Sequence, residues 1–299
     1  MLSRNEKAAK ALVRHTMTTS VRFRSLPLVM VGALALFGLM GCGHSEDTTP
    51  VVTGSSSTSG SVSGGTLTLS GKNLRDLSAV TIGGQSAQLS NLRDDSATVT
   101  VPAAVSFRPG TVPLVVTAHS GSKPVSSRVT QYTYNVVTPV DKQLEYAMTY
   151  WSDYNTAQWG DFNPDGGDCA NFVSQTLLAR GWTMNSDWYS YDAGEQWSPA
   201  WGYVPALDAY LSENAQKLGL TEYPLSDRSS IKIGDLVVFY WAQGDTPDHI
   251  MVVSGVKKIG GKTLISMVGH NDNYDYRDLD QTITVDHPGA TGHFWSIPD

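Results

Sequence analysis

Residues 166–175, GGDCANFVSQ, place a cysteine where a glycine-rich turn meets the start of an amphipathic helix. Apolar residues recur at helical spacing after Cys169, and Gly181 is placed to end the helix. Asp168 suits the N-cap, so Cys169 takes the first helical position, where the helix dipole stabilises negative charge. Because the thiolate is the reactive form of cysteine, this pattern favours a nucleophile with a lowered pKa. The alternative interpretation is a small buried apolar residue.

A nucleophilic cysteine needs a base, and two histidines of the C-terminal part are candidates. The apolar runs IMVVSGV and TLISMVG flank the glycine pair 260–261, which predicts a hairpin with a two-residue loop. Opposite residues then have numbers that sum to about 521. This register puts His249 across from Asp272, with His270 a diagonal neighbour on the same face. A shift by one residue would substitute Asn271, and either register predicts a Cys–His–polar triad in which the third group orients the imidazole.

Four blocks of the C-terminal half, DCANFVSQTLLARGW, IGDLVVFY, DHIMVVSG and GHND, resemble the putative amidase domain family of bacteria. That family is related to the NlpC/P60 and CHAP groups of papain-like cysteine hydrolases. The resemblance implies an α+β papain-like fold with the catalytic cysteine at a helix N-terminus packed on an antiparallel sheet. It implies Cys169 as nucleophile, His249 as general base and His270 in the third position, with Asn271 and Asp272 as alternatives there. The implied activity is hydrolysis of amide bonds, with peptidoglycan peptides or glycopeptides as the expected substrate.

Hydrolysis through a thioester also needs donors for the oxyanion. The backbone N–H of Cys169 is one, because a helix N-terminus points it outward. Candidates for further oxyanion or substrate contacts are Asn155, Tyr154 and Asp168.

Tryptophans could line a cleft for a peptide or sugar, and two of the four between Trp182 and Trp201 are expected to do so, Trp188 and Trp197. Residues 161–168, DFNPDGGD, match the first half of a calcium loop, but the twelfth position is Phe172, which cannot ligate. A carboxylate-rich surface turn is therefore the better interpretation, and neither a metal nor a cofactor is expected.

The preceding residues divide into a tether and a β-rich domain. Residues 42–63 are rich in Ser, Thr and Gly, which is typical of a flexible tether. Residues 64–137 alternate apolar and polar side chains between turn signals, which predicts a small antiparallel sandwich. The string GGTLTLSGKNLRDLSAVTIGG followed by ATVTVPA resembles the immunoglobulin-like IPT/TIG family and implies a spacer or a module that binds a glycan or protein. Thr138 and Pro139 then begin a helix, so the second domain is expected to span 138–299.

The N-terminal residues have the pattern of an export signal. From Met17 a basic region precedes the apolar run LPLVMVGALALFGLM and the ending LMGC, as in bacterial lipoprotein signals. Residues 1–41 are predicted to be a signal peptide, with Met17 a candidate start and Cys42 the lipidated residue; an uncleaved anchor helix is the alternative. This predicts an exported protein of the cell envelope, held on the outer face of the bacterial membrane by the acyl chains on Cys42. Cys169 then has no disulfide partner within its own chain.

The charge and the remaining motifs narrow the function. From Cys42 onward the chain carries 15 Lys and Arg against 27 Asp and Glu, a net charge of −12, so it lacks the basic surface that binds nucleic acid. The motifs of serine hydrolases, zinc proteases and nucleotide-binding proteins are not found. Two hypotheses follow, a lipid-anchored cysteine hydrolase and a non-catalytic lipoprotein that binds a glycan or protein on the same fold. An acyl transferase is a variant of the first, since an amine can open a thioester as water does.

Overall fold

A computed structural model describes residues 50–299 except 121–122, 242–243 and 245. The predicted signal peptide and the lipidated Cys42 lie outside these residues. Within the described ranges, no helix is both long and apolar enough to cross a membrane.

The first domain is β-rich, as its alternating sequence predicts. Its strands form a sheet in the order β1-β3-β6-β5-β4-β7-β8-β2, in which neighbours are antiparallel apart from the parallel pair β2 and β8. Leu67 and Leu69 face the core and pair with Val99 and Ala97 of a neighbouring strand, so one face of the alternating pattern is buried. In the described part of the chain, β1 to β8 are Val51–Ser55, Ser59–Ser61, Gly65–Lys72, Leu77–Ile82, Gln85–Ser90, Ser96–Val101, Gly110–Ser120 and Lys123–Asn135.

The end of the expected tether is ordered β structure. The strands β1 and β2 both lie within residues 42–63. The first pairs with β3 and the second with β8. Ser- and Gly-rich strands can be held this way because the ladder uses backbone groups, and Val62 adds a fully buried side chain. Composition alone therefore placed the start of the domain too late.

The second domain combines helices with an antiparallel sheet. It begins as predicted, with Thr138 at the N-cap of α1, Pro139 in its first turn and a capping box formed by Thr138 and Asp141. Among the described residues, α1 to α7 are Pro139–Tyr150, Thr156–Trp159, Cys169–Arg180, Pro199–Gly202, Val204–Glu213, Ala215–Leu218 and Leu279–Gln281.

The strands of the second domain form a small ribbon, β9 and β10, and a larger sheet in the order β11-β16-β12-β13-β14-β15. Helix α3 packs on β13 and β14. In the described ranges, β9 to β16 are Ser190–Tyr191, Gln196–Trp197, Thr221–Pro224, Leu236–Tyr240, His249–Ile259, Lys262–Gly269, Tyr274–Asp278 and Thr291–Ser296.

The two faces of the larger sheet are buried against different groups. Val238, Ile250, Val252 and Val268 belong to the same core cluster as Cys169. The intervening side chains form a second cluster on the other face, which includes Val237, Phe239, Met251, Val253 and Met267. Whether a side chain faces Cys169 or the second cluster therefore depends on its place in the alternation along the strand.

The hairpin of β13 and β14 has the predicted loop but changes register along its length. Ile259 pairs with Lys262 across the glycine pair, and the sum of 521 holds as far as the pair of Gly255 with Ser266. A bulge between Val253 and Gly255 then changes the sum to 520, as in the pair of Val252 with Val268.

The bulge corrects the predicted arrangement of the histidines. Two residues beyond the pair of Val252 with Val268 lie Ile250 and His270, which therefore share the α3 face. Phe239 pairs with His249, so His249 lies on the other face. A shift of one residue moves a side chain to the opposite face, and the expected proximity of His249 and His270 on one face is wrong.

Candidate active site

Cys169 is the first residue of α3, as the sequence predicts, and its side chain is 4% exposed. Among the described residues it is a free cysteine. Gly181 ends the helix with a φ of 113°, and its backbone N–H bonds to the carbonyls of Leu177 and Leu178. Asp168 stands at the N-cap position, but its carboxylate makes no capping hydrogen bond. The predicted start of the helix at Cys169 is thus confirmed. The expected capping hydrogen bond of the Asp168 side chain is absent.

The protonation of Cys169 differs from the expectation. Burial raises the pKa of its thiol to about 11 and the charge of Asp168 adds to the rise, while the backbone N–H groups of Ile250 and Ala170 oppose it. The helix N-terminus was expected to give a lowered pKa, but removal from water disfavours the thiolate more strongly. Cys169 is therefore a neutral thiol at neutral pH in this state, with its sulfur beside the backbone of β13.

A cleft of about 290 Å³ opens beside Cys169. Its charged lining residues are the carboxylates Asp165 and Asp248, and the described residues that line it include no Lys, Arg or His. Aromatic side chains form part of the walls. The full lining is Phe162, Asp165, Gly166, Gly167, Cys169, Trp197, Gly202, Tyr203, Val204, Pro205, Thr246, Pro247 and Asp248.

His249 begins β13 immediately after the cleft residue Asp248, but its ring packs away from the cleft. The ring centroid lies 5.6 Å from that of Trp241 and 6.4 Å from that of Phe239. Burial lowers the pKa of His249 to about 3, and the positive charges of Arg277 and His287 add to the effect. Its ring makes no hydrogen bond to a residue that the structure describes. His249 is thus a neutral imidazole whose chain neighbour, Ile250, adjoins the Cys169 thiol.

His270 lies on the α3 face and pairs with Asp168. Its Nδ1 is 2.5 Å from Oδ2 of Asp168, and its Nε2 is 2.9 Å from the carbonyl oxygen of Tyr150. The ring is sandwiched between Tyr154 and Phe172, with centroid distances of 3.6 and 3.9 Å. Both ring nitrogens are therefore occupied, and neither bonds to His249. In this structure His270 does not take the predicted place of a group that orients His249.

The two alternatives for the third position also have other partners. Oδ1 of Asn271 accepts a hydrogen bond of 2.8 Å from the backbone N–H of Asp168. The Asp272 side chain is 68% exposed, and its carboxylate is 3.8 Å from Nη1 of Arg277. Asn271 therefore helps to hold the turn before Cys169, whereas Asp272 lies at the surface.

The candidate oxyanion groups upstream lie apart from the cleft lining. Nδ2 of Asn155 donates to the Tyr146 hydroxyl and to Gln158. The Tyr154 hydroxyl donates to Oδ1 of Asn273 and accepts from the backbone N–H of Asn271. Tyr154 therefore supports His270, on which its ring is stacked, whereas Asn155 holds Tyr146 and Gln158.

The two selected tryptophans differ. Trp188 is fully buried and its Nε1 donates to the hydroxyl of Ser174, so its predicted place in the groove is wrong. Trp197 is 36% exposed and lines the cleft. Sequence reasoning missed Tyr203, which is 55% exposed in the same wall. The available signal was the position of this tyrosine between two short helices, α4 and α5, where a large side chain can remain at the surface.

The DFNPDGGD segment forms a surface turn. Residues Asn163–Asp165 make a single 3₁₀ turn, and Oδ1 of Asp161 accepts from the backbone N–H of Asn163. In the described ranges, His, Cys, Asp and Glu side chains form no group of three or more that could hold a metal ion.

The molecule thus has a β-rich domain followed by an α+β domain, in which a buried cysteine begins a helix beside an antiparallel sheet and a cleft. The family described as "Putative amidase domain" matches residues 139–295, more than half of the chain, and the protein belongs to that family. The IPT/TIG domain matches residues 50–134, which includes the strands β1 and β2. Membership of this family indicates that the second domain is a hydrolase domain.

No curated protein matches the chain. Similar solved structures include a putative phosphatase from Bacteroides thetaiotaomicron VPI-5482 (TM-score 0.23, 20% identity, 29% of this chain and 18% of that chain). Two others are an auxiliary nutrient binding protein from Bacteroides ovatus ATCC 8483 (0.23, 23%, 30% and 21%) and the Bacteroides ovatus protein SGBP-B in complex with a mixed-linkage heptasaccharide (0.21, 13%, 80% and 49%). The matched parts span less than half of each of these chains.

Proposed function

We propose that the protein is a cysteine hydrolase of amide bonds, with Cys169 as nucleophile and His249 as the group that transfers the proton. The observation that carries the proposal is the place of Cys169, at the first turn of α3 and in the lining of the cleft. A cysteine that only fills space is expected to be surrounded by packed side chains and not to line a cleft. Membership of the amidase family supports the same reaction class.

The chemistry assigns one role to each group. The Cys169 sulfur attacks the amide carbonyl carbon as His249 accepts the thiol proton, and the carbonyl oxygen takes up negative charge. The same proton then passes from His249 to the leaving nitrogen, which departs as an amine and leaves a thioester on Cys169. Water, deprotonated by His249, attacks the thioester carbon, and the products are a carboxylic acid and the free thiol. The backbone N–H groups at the start of α3 are available to stabilise the oxyanion.

This mechanism starts from a neutral thiol and a neutral imidazole, since the pKa of Cys169 is raised to about 11 and that of His249 is lowered to about 3. His249 then acts as a general base during attack and not as one half of a preformed ion pair. Its ring packs against Trp241 in the unliganded protein, so proton transfer requires the ring to turn toward the cleft. Catalytic contacts are often formed only when substrate binds.

The proposed substrate is a cell-wall peptide or glycopeptide. Aromatic walls at Trp197 and Tyr203 and carboxylates at Asp165 and Asp248 suit a peptide segment that is neutral or carries an amine. The proposed fold of the catalytic domain, residues 138–299, is papain-like. We further propose that residues 1–41 are a signal peptide and that acyl chains on Cys42 hold the exported protein on the outer face of the membrane. The β-rich domain would then serve as a spacer or bind a glycan or protein.

A second candidate is a binding protein without catalysis. The observation that favours it is the raised pKa of Cys169, because a buried neutral thiol is also what an inert cysteine would have. In this case the cleft would hold a peptide or glycan without cleaving it.

The test uses the full chain and two readouts. Zymography on cell-wall material should show clearing by the wild type and none by Cys169→Ala, which removes the nucleophile while keeping a small buried side chain. His249→Gln should reduce the clearing strongly, because the thiol proton then has no acceptor. Iodoacetamide should label Cys169 in the native wild type.

Controls separate catalysis from folding. The variant Trp188→Phe alters the buried aromatic core but not the cleft, and it should retain clearing. Clearing by Cys169→Ala that equals the wild type refutes the nucleophile. Binding of cell-wall peptides by both proteins, without clearing by either and with labelling only after unfolding, supports the second candidate.

A further inference from the structure

We propose that Asp168 and His270 form a buried pair that holds one shared proton, so that His270 cancels the charge of Asp168 next to the Cys169 sulfur and positions the helix start. His270 is then a positioning residue that acts through Asp168, and it is not the group that orients His249. This inference rests on the proposed role of Cys169 as nucleophile.

The Asp168 carboxylate is fully buried. Its Oδ1 accepts hydrogen bonds from the backbone N–H of Phe162, at 2.9 Å, and from Nδ2 of Asn171, at 2.8 Å. Its Oδ2 faces Nδ1 of His270. A buried carboxylate is costly unless a positive charge or a proton compensates it. Among the described residues, His270 is the group in direct contact with it that can carry a positive charge.

The hydrogen-bond partners of the His270 ring determine which of its nitrogens carries a proton. The Tyr150 carbonyl oxygen can only accept, so Nε2 of His270 must carry a hydrogen to bond with it. An unprotonated Nδ1 would place its lone pair 2.5 Å from a carboxylate oxygen, which is repulsive. One further proton therefore lies between Nδ1 and Oδ2, on either atom. In both arrangements Asp168 and His270 together carry no net charge.

The pair of Asp168 and His270 adjoins the proposed nucleophile. Asp168 precedes Cys169 directly, and its charge opposes formation of the thiolate. A proton shared with His270 cancels the charge of Asp168, the residue that directly precedes Cys169. The pair also ties the turn to the sheet, since the backbone N–H of Asp168 bonds to Asn271, the residue after His270.

The surroundings keep this proton in place. Tyr154 and Phe172 stack on the His270 ring and hold it in the orientation in which Nδ1 faces Asp168. The titratable groups that face the pair from α1 and the following loop are tyrosines. Burial raises the pKa of Tyr146 to about 12 and raises the pKa of Tyr154, so both hydroxyls are uncharged at neutral pH.

The test compares His270→Gln, Asp168→Asn and the double variant in the full chain, with the iodoacetamide rate at Cys169 measured from pH 6 to 10. His270→Gln leaves an uncompensated carboxylate beside the sulfur, so the rate at pH 8 should fall about tenfold and the pH profile should shift upward by about one unit. The double variant removes both charges and should return the rate to within about threefold of the wild type. A purely structural role predicts no such rescue, because the second substitution would add to the damage.

A second measurement observes the pair itself. In protein with ¹⁵N-labelled histidine, the His270 ring should show a hydrogen on Nε2 and a strongly downfield proton shared with Asp168, and Asp168→Asn should abolish the downfield signal. An unprotonated Nδ1 with no shared proton overturns the inference. So does a His270→Gln rate equal to that of the wild type, or a double variant as slow as His270→Gln, and in these cases the nucleophile proposal stands. A wild-type Cys169 that reacts only after unfolding overturns the proposed function and this inference together.

Discussion

The contact between the two domains offers a quantitative test through Asp141. This residue completes the capping box of α1, but its carboxylate also reaches the first domain. Oδ1 accepts hydrogen bonds from the hydroxyl of Ser61, at 2.6 Å, and from the hydroxyl and backbone N–H of Ser63, at 2.5 and 3.1 Å. Oδ2 accepts from the backbone N–H groups of Val137 and Thr138, at 2.9 and 3.0 Å. Asp141→Asn keeps the size of the side chain but removes its negative charge and changes its hydrogen bonding.

The expected loss follows from replacing a charged acceptor by a neutral amide. With its oxygen toward Val137 and Thr138, the Asn amide nitrogen can donate to the serine hydroxyls, which can turn to accept. The backbone N–H of Ser63 loses its bond to Asp141 but keeps the hydroxyl oxygen of Ser61, at 2.9 Å, as an acceptor. The loss of the charge-assisted bonds costs about 2 kcal/mol. For a folded region of this size, that corresponds to a fall in Tm of roughly 4–8 °C.

The pH dependence provides the sharper part of the test. Burial tends to raise the pKa of Asp141, but the hydrogen bonds from Ser61, Ser63, Val137 and Thr138 outweigh it, so the pKa is lowered. A lowered pKa in the folded state contributes stability above the unfolded pKa of about 3.9, and this contribution is lost as the pH falls through the folded value. The Tm difference between wild type and Asp141→Asn should therefore be constant from pH 7 to 5 and shrink below about pH 4.

Differential scanning calorimetry of the full chain at pH 7, 5 and 3 measures this difference. Asp94→Asn makes the same chemical change at an exposed carboxylate and should leave the Tm within about 1 °C of the wild type, as expected for a surface substitution. An equal Tm for Asp141→Asn and wild type at pH 7 would refute the reasoning. A difference that persists unchanged at pH 3 would show that the loss does not come from the carboxylate charge.

Two further predictions concern the elements around Cys169. Gly167→Ala should destabilise the protein by about 1–2 kcal/mol more than Gly166→Ala in urea unfolding, since both glycines have positive φ but only the new Cβ at 167 would lie 2.8 Å from Nδ2 of Asn271; equal losses would show that this contact is unimportant. Because the pKa of His249 is lowered to about 3, the unfolded chain binds a proton below about pH 6.5 that the folded protein does not. As the pH falls from 6.5 to 3, the free energy of unfolding of the wild type should therefore decrease by up to about 1.4 kcal/mol per pH unit. The His249→Gln variant should show a shallower slope, and an NMR titration of His249 with a midpoint near pH 6.5 would contradict this prediction.

Local features of the fold were readable from the sequence because they depend on few neighbours. The capping box at Thr138, the helix that starts at Cys169 and ends before Gly181, and the tight loop at the glycine pair 260–261 each follow from residues close together in the chain. The early strands β1 and β2 were missed for the opposite reason. Their composition is that of a linker, and their order comes from the partner strands β3 and β8.

The placement of the site residues depended on longer-range facts. Trp188 and Trp197 lie in one aromatic-rich segment, yet one is in the core and the other in the cleft wall. Periodicity could not separate them, because the segment between α3 and α4 consists mostly of turns and of the ribbon formed by the two-residue strands β9 and β10. The sequence also indicated a helix dipole at Cys169 but not its depth of burial, and the burial decides the direction of its pKa shift.

The histidines show how one residue of register changes a mechanism. Without the bulge between Val253 and Gly255, the sum of 521 would keep His270 on the face of His249, where it could orient that ring. With the bulge, His270 turns toward α3 and meets Asp168, which the sequence marks as a helix cap and as a candidate for oxyanion or substrate contacts. Asp168 does not cap because its oxygens are already used by Phe162, Asn171 and His270. The hydrogen bonds that hold the helix start at Cys169 therefore come from the α3 face of the sheet, whereas His249 lies on the opposite face. The proposed proton transfer consequently requires the His249 ring to turn toward the cleft.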